Sequence, residues 1–182
     1  LQDQYVYTIA RRAIDHDADQ TYGYRYIFAT NKSSNLSANI RLNWTFSPRM
    51  TLETYIRPYV QSARFSGFGE LKQERTFDFD FYDVDEGELN DLGAGLYEVS
   101  FGDEEPTSFR FYRPDFTYTA LQGNAVFRWE YSPGSTLFFV WQQQRDGVMG
   151  NGLMDISRDF GDMFDHKPIN IFLIKLSYWF GV

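Results

Sequence analysis

The chain has 182 residues, enough for one domain, and combines 19% aromatic residues with a mean hydropathy of −0.45, no cysteine and a formal charge of −8. Without cysteine neither a disulfide framework nor a thiolate metal site is available, and without a basic stripe no nucleic-acid partner is expected. No run of 18 apolar residues occurs, which excludes a helical membrane protein but not a transmembrane β-barrel, whose alternating strands average to a modest hydropathy.

The first strand is predicted near residues 4–14, where Tyr5, Tyr7 and Ile9 already alternate with polar residues. The opening segment LQDQYVYTIARR has no initiator methionine, basic n-region or apolar h-region. We therefore expect that residue 1 is not the start of the natural precursor, and that a signal peptide or a longer upstream region precedes it.

The clearest strand is predicted near 34–46, and its phase extends back to Tyr24, which indicates one long strand over 24–46. Successive side chains of a strand point to opposite faces. One face of this strand is apolar and carries Leu36, Ala38, Ile40, Leu42, Trp44 and Phe46. The other face is entirely polar and carries Asn35, Ser37, Asn39, Arg41, Asn43 and Thr45.

Three further strands repeat this pattern near 50–65, 117–131 and 135–146. Their polar faces carry Glu53, Tyr55, Arg57, Tyr59 and Gln61, then Gln122, Asn124, Arg128 and Glu130, then Thr136, Gln142 and Gln144. The last strand is predicted near 169–181, and no helix is predicted anywhere in the chain. In this last strand Lys175 and Ser177 lie between the apolar residues Phe172, Ile174, Leu176, Tyr178 and Phe180.

The connections are of two lengths. Tight turns are predicted at 47–49 and 132–134, whereas the connections near 15–23, 67–116 and 145–168 are long and rich in Gly and Asp. Short turns on one side and long loops on the other are typical of bacterial outer-membrane barrels. Aromatic residues cluster beside the short turns like an interfacial girdle, at Trp44, Phe46, Trp129, Tyr131, Tyr178 and Phe180.

We therefore predict an all-β fold, the C-terminal portion of an antiparallel transmembrane outer-membrane β-barrel, spanning residues 1–182 with a long acidic extracellular loop at about 67–116. Six strands are fewer than the usual minimum of about eight, so further strands are expected from upstream sequence or from another chain. A rival count takes TFDFDFYDV and GLYEVSF as one more hairpin and reaches eight. A soluble β-sandwich or lectin-like domain remains an alternative, because a soluble sheet can also expose a polar face to water.

In a barrel the polar faces would line a hydrated lumen of mixed charge, with no clear preference for anions or cations. The residues predicted to face this lumen are Asn39, Arg41, Asn43, Glu53, Arg57, Gln122, Asn124, Arg128, Glu130, Gln142 and Lys175. The opposite, apolar faces would contact outer-membrane lipid.

Catalytic and metal-binding patterns are weak. His16 and His166 fall in predicted loops and no GxSxG is present, so a hydrolase would require residues assembled only by the fold. Asp78, Asp80, Asp83 and Asp85 could chelate Ca²⁺ loosely, but their spacing misses the EF-hand pattern and a solvated acidic loop is the favoured interpretation. No cofactor is expected.

The stretches IRLNWTFSPRMTLETYIRPYVQSARFS, FRWEYSPGSTLFFVWQQQRD and NIFLIKLSYWFGV resemble the C-terminal barrel region of a large family of bacterial outer-membrane proteins. Members of that family carry an N-terminal domain similar to family 9 carbohydrate-binding modules, which residues 1–182 do not include, and the family has no settled activity to transfer. Phe172, Ile174, Leu176, Tyr178 and Phe180 resemble the C-terminal signal read by the barrel-assembly machinery, with Gly181 and Val182 extending past the usual terminal aromatic.

Three functions follow as hypotheses. The leading one is an outer-membrane conduit or barrel scaffold with a polar lumen. The alternative is an inert membrane anchor for a carbohydrate-binding or carbohydrate-active module. A hydrolase borne on the barrel ranks below both, so an enzyme is not expected.

Overall fold

A computed structural model describes residues 2–13, 24–73, 75–85, 87–102, 108–149 and 151–181, with side chains described from residue 25 onward. Within these residues the fold is all-β with antiparallel sheets and one short helix, so the predicted fold class is confirmed at this level. The elements are β1 (Gln2–Ala13), β2 (Tyr24–Ser37), β3 (Ile40–Ser47), β4 (Met50–Leu71), β5 (Phe79–Phe81), β6 (Glu88–Asp91), β7 (Leu96–Ser100), β8 (Phe109–Tyr112), β9 (Phe116–Ser132), β10 (Ser135–Met149), α1 (Ile156–Asp165) and β11 (Ile169–Ser177).

The larger sheet has the strand order β1-β2-β4-β9-β10-β11, and β3 and β5 both pair with β4. Every pairing whose register is described runs antiparallel. Tight turns join β3 to β4 and β9 to β10, where they were predicted, and Gly134 in the second turn has a φ of +76° that glycine adopts without strain. Within the described residues β1 and β11 end the strand order and are not paired with each other.

The single strand predicted over 24–46 is divided into β2 and β3 by Ala38 and Asn39. Pro58 of β4 lies opposite this break, and its carbonyl accepts a hydrogen bond from the Ala38 amide at 3.2 Å. Proline has no N–H to return the bond, so the ladder is interrupted at this point. Three other boundaries differ from the prediction by three residues or more: β4 continues to Leu71, β10 continues to Met149, and β11 ends at Ser177.

A first compact unit comprises residues 1–34, 63–116 and 150–153. It contains a separate three-stranded sheet with the order β6-β7-β8. Aromatic rings pack around Phe68, whose centroid lies 5.1 Å from that of Phe111 and 5.5 Å from that of Tyr97. Arg25 contributes a partly buried ion pair with Glu70 at 2.6 Å and lies 4.3 Å from the ring centre of Phe101. The buried core of this unit consists of Ile27, Ala29, Ala63, Phe65, Phe68, Tyr82, Val99 and Phe111.

The segment predicted as a long acidic loop, at about 67–116, therefore contains the four short strands β5 to β8. The rival hairpin is not formed by these strands. Phe79–Phe81 pairs with the end of β4, whereas Leu96–Ser100 is the central strand of the smaller sheet.

A second compact unit comprises residues 35–62, 117–149 and 154–182. Among its described residues, the buried apolar side chains are Pro58, Val60 and Met163, which is a small core for the length of chain involved. Thr117, Thr119, Ser135 and Asp159 are also buried there. The unit exposes most of its large apolar side chains, as described below.

Helix α1 corrects the prediction that the chain has no helix. Asp155 caps its N-terminus by accepting a hydrogen bond from the Arg158 amide at 3.0 Å. The buried Asp159 carboxylate is paired with Arg158 at 2.7 Å, and this hydrogen bond raises the pKa of the guanidinium. In the described part of the chain, no helix is long and apolar enough to cross a membrane.

Two glycines give opposite expectations for replacement by alanine. Gly152 has a φ of +62°, and a β-carbon there would lie 2.5 Å from the Ala63 carbonyl oxygen and 2.9 Å from the Asp115 β-carbon. Gly152→Ala is therefore expected to lower the free energy of unfolding by about 1–3 kcal/mol. Gly161 lies inside α1, and no atom lies within 4 Å of a β-carbon built there. Because alanine favours the helix more than glycine does, Gly161→Ala is expected to raise the free energy of unfolding by up to about 1 kcal/mol.

Urea unfolding of both variants in the same detergent, followed by tryptophan fluorescence, measures the two shifts. A Gly152→Ala protein as stable as the unsubstituted chain would contradict the close packing of residues 151–153 against Ala63 and Asp115.

Candidate functional site

Polar side chains of β3, β4, β9 and β10 lie on one face of the larger sheet and line a continuous depression, here called the polar trough. Residues directly opposite in an antiparallel pair point to the same face. Arg41 lies opposite Tyr55, and Asn43 opposite Glu53, across β3 and β4. The residues that define the trough are Arg41, Asn43, Glu53, Tyr55, Arg57, Tyr59, Tyr118, Gln122, Asn124, Gln142 and Gln144.

The trough consists of three adjoining cavities of about 400, 250 and 170 Å³. Tyr55 and Asn124 line both the first and the second cavity, and Gln122 lines both the second and the third. These shared walls make the three cavities one surface. Ile169 and Ile171 of β11 complete the wall of the second cavity.

One wall of the trough is a set of primary amides on β9 and β10. Gln122 lies opposite Gln144, and Asn124 lies opposite Gln142. Each amide offers two N–H donors and a carbonyl acceptor. The Asn124 Oδ1 atom is buried and accepts no hydrogen bond from the described residues.

The other wall carries tyrosine rings whose hydroxyl groups are already engaged. The Tyr55 hydroxyl donates to Asn39 Oδ1 at 2.7 Å, and the Tyr59 hydroxyl donates to Gln61 Oε1 at 3.0 Å. The Tyr118 ring centroid lies 6.1 Å from that of Tyr59. The two hydrogen bonds hold the Tyr55 and Tyr59 rings in fixed orientations, so this wall of the trough is pre-organised.

Most of the residues predicted to face a lumen lie in or beside this trough. Asn39 contacts it through Tyr55, whereas Arg128, Glu130 and Lys175 share its face but lie outside the three cavities. Glu130 accepts from the Gly134 amide at 3.1 Å and lies 3.9 Å from Arg128. Lys175 lies opposite Phe138, with its ammonium 5.8 Å from the ring centre.

Tyr118 was missed as a site residue because the sequence prediction followed the polar face of that strand only from Gln122 onward. The signal was present, since Tyr118 and Ala120 continue the same two-residue period.

The opposite face of the sheet carries a continuous set of exposed large apolar side chains, here called the apolar band. Rows of facing residues run across β9, β10 and β11, such as Phe127, Phe139 and Ile174. Exposed fractions range from 38% for Leu36 to 68% for Ile174. The band consists of Leu36, Ile40, Leu42, Trp44, Phe46, Trp129, Phe139, Phe172, Ile174 and Leu176.

The apolar band has a polar border at one end. Trp141 Nε1 and Gln143 Nε2 each donate to Asn170 Oδ1 at 3.0 Å. Beyond this row the same face is occupied by α1, where Arg145 donates to the Phe164 carbonyl at 2.7 Å. Along β9 to β11 the apolar surface therefore ends at the row of Trp141, Gln143 and Asn170.

The predicted assembly signal lies on the edge of the sheet. Phe172, Ile174 and Leu176 belong to β11, which pairs with β10 and has no described partner on its other side. Tyr178 and Phe180 follow the end of the strand, with ring centroids 4.5 Å apart. All five side chains are more than half exposed.

The acidic residues proposed as weak calcium ligands make contacts within their own loop. Asp80 forms an ion pair with Lys72 at 2.6 Å, and the hydrogen bond to Asp80 raises the pKa of Lys72. Asp83 and Asp85 accept backbone hydrogen bonds at 2.7 and 3.0 Å, and the Asp78 carbonyl accepts from the Lys72 amide at 3.0 Å. In the part of the chain that the structure describes, no group of three or more His, Cys, Asp or Glu is arranged for a metal. Loose calcium binding stays a prediction.

Of the two histidines, His16 lies outside the described residues. His166 follows α1, and its Nε2 atom lies 2.9 Å from Thr119 Oγ1. Thr119 is fully buried, so its hydroxyl is not accessible to a substrate. This pair therefore anchors α1 on the sheet and is unsuited to nucleophilic catalysis.

Comparison with known proteins gives one match. No curated protein and no solved structure matches the chain. Residues 8–182 match the family model described as a domain of unknown function, DUF5916. The match covers nearly the whole sequence, and the chain therefore belongs to the DUF5916 family.

Proposed function

We propose that this chain is the C-terminal part of an integral outer-membrane β-barrel that contacts lipid through the apolar band and encloses solute with the polar trough. The observation that carries the proposal is the exposure of the band on one face of a sheet whose other face is lined by amides, arginines and tyrosines. A soluble protein rarely exposes so large a continuous apolar surface. Lipid is the solvent in which such a face is stable.

The dimensions of the band support this proposal. From Leu36 to Phe46 the chain advances ten residues, about 33 Å at roughly 3.3 Å per residue. At a strand tilt of about 40° this length spans about 25 Å, the height of the apolar zone of outer-membrane barrels. Trp44 and Phe46 lie beside the short turn between β3 and β4, where an aromatic girdle is expected.

The soluble sandwich alternative has less support. A sandwich would cover the apolar face with a second sheet about 10 Å away. The residues that would have to be covered, such as Leu42 and Ile174, are 53% and 68% exposed.

The exposed edge of β11 supports the proposal that further strands complete the barrel. An edge strand that has no described partner on one side and carries apolar side chains on both faces, such as Leu173 and Ile174, invites pairing with another strand. We propose that those strands come from upstream sequence or another chain, and that the barrel-assembly machinery acts on β11 during insertion into the bacterial outer membrane.

Such a barrel could act as a conduit or serve as an inert anchor. A conduit uses the polar trough as part of its lumen, which the pre-organised tyrosines and amides favour. An inert anchor for a carbohydrate-binding or carbohydrate-active module would need only the apolar band. We propose the conduit, because an anchor gives no reason for a trough lined by amides, among them Asn124, whose buried Oδ1 atom has no donor among the described residues.

A pair of arginine substitutions tests which face contacts lipid. Leu42 lies near the middle of the band and Asn43, its neighbour, lines the trough opposite Glu53. Leu42→Arg is expected to lower the free energy of unfolding in lipid vesicles by about 2–4 kcal/mol, because it places a charge in hydrocarbon. Asn43→Arg is expected to change it little, since water and Glu53 are available on that face. Equal losses in urea titrations of the two variants would contradict the proposed facing.

Planar-bilayer conductance tests the conduit. The 182-residue chain and a longer polypeptide containing upstream sequence are compared, and stepwise currents are expected from the form that closes a barrel. Arg57→Glu in the trough is expected to shift the reversal potential toward cation selectivity, whereas Arg49→Glu, in the turn between β3 and β4, is not. If neither form passes ions at any voltage, the conduit is excluded and the anchor becomes the better proposal.

A further inference from the structure

The trough has a chemical character that narrows what it can bind. Its described charged side chains are Arg41, Arg57 and Glu53, which leave a formal excess of one positive charge. The remaining polar groups are tyrosine hydroxyls and amides, which are neutral and act as donors and acceptors at once. One excess charge is too weak a field to select a strongly anionic or cationic ligand.

The tyrosine rings add flat apolar surfaces at fixed positions. Tyr55 and Tyr59 are each held by a hydrogen bond from the hydroxyl group, and the Tyr118 ring centroid lies 6.1 Å from that of Tyr59. Rings held in this way lose little conformational entropy when a ligand stacks on them. From Glu53 to Tyr59 the trough extends over about 20 Å along β4, which matches a short linear ligand.

The Asn124 Oδ1 atom supplies an observation independent of composition. The atom is buried, and no described group donates a hydrogen bond to it, while the Asn124 residue lines two of the three cavities. A buried acceptor without a partner is costly unless a ligand or an ordered water provides the donor. A ligand hydroxyl group would satisfy it once the Asn124 amide turns toward the cavity, and the neighbouring amides Gln122 and Gln142 line the same cavity.

From these features we infer that the polar trough binds a neutral, polyhydroxylated ligand, a short uncharged oligosaccharide whose ring faces stack on the tyrosines and whose hydroxyl groups bond the amide wall. This inference rests on the proposed function in one respect, since it assigns the substrate class of the surface proposed as lumen. It does not require that ions or sugars cross the membrane.

The test is isothermal titration calorimetry of the full 182-residue chain refolded in a zwitterionic detergent without a sugar headgroup. The neutral probes are cellotetraose and maltotetraose, and tetragalacturonate provides an anionic chain of the same length. At least one neutral tetrasaccharide is expected to bind, and more tightly than tetragalacturonate. Failure of both neutral probes to bind, or tighter binding of tetragalacturonate, would overturn the inference and leave ordered water as the partner of Asn124.

Matched variants locate the binding surface. Asn124→Leu and Gln122→Leu, both in the trough, are each expected to weaken the bound probe by about tenfold or more, the loss expected when a buried polar contact is removed. Asn170→Leu is the control, because it also replaces an amide with an apolar side chain but lies on β11, on the face of the sheet opposite the trough. This variant is expected to leave the affinity unchanged. Far-ultraviolet circular dichroism identifies any variant that does not fold. If one of the two trough variants does not fold, the affinity of the other trough variant tests the location of the binding surface.

Equal weakening in Asn170→Leu and in the trough variants would place the sugar elsewhere and overturn the inference. The calorimetry needs no bilayer and no current, so it separates the two proposals. Binding without conductance would uphold the inference and exclude the conduit. Conductance without binding would support the conduit and overturn the inference.

Discussion

The hydrogen-bonded register of β9, β10 and β11 is the constraint on which the second compact unit depends. The same ladder that places Asn124 opposite Gln142 places Phe139 between Phe127 on one side and Ile174 on the other. A slip of one residue would exchange the two faces of a strand. The polar trough and the apolar band are therefore two consequences of one register, and neither can be built without the other.

The two compact units obtain their stability in different ways. In the first, aromatic rings around Phe68 and the Arg25–Glu70 pair form an ordinary buried core. In the second, few apolar side chains are buried and many are exposed. Because burial of apolar surface is the dominant favourable term in folding, the second unit needs an apolar environment for its band. In the proposed barrel, lipid provides that environment without any protein partner on that face.

Local periodicity made the long strands and both tight turns predictable, because a two-residue alternation requires only neighbouring residues. Most of the trough was predictable for the same reason. The break at Ala38 depends on Pro58, twenty residues away, and so does not appear in the alternation of 24–46. The smaller sheet depends on Phe68, Tyr97 and Phe111 meeting across long sequence distances, which no local pattern encodes.

Helix α1 was missed although its signals were readable. Asp155 is a good N-cap residue, and Ile156, Phe160 and Phe164 follow at the four-residue spacing of one helix face. Gly161 and the surrounding aspartates instead suggested a loop. The sequence does not show how the helix packs on the sheet. There His166, directly after α1, packs against Gly147 and hydrogen-bonds Thr119.

The central claim is that alternate residues of one strand contact lipid and water, and a cysteine scan of β9 measures this directly. The chain has no cysteine, so a single fluorescent label can be placed at each position from 124 to 129 of the protein in lipid vesicles. Labels at Ala125, Phe127 and Trp129 are expected to be quenched by nitroxide-bearing lipid. Those at Asn124, Val126 and Arg128 are expected to be quenched by a water-soluble agent. Quenching without a two-residue period, or with the two sets reversed, would contradict the account.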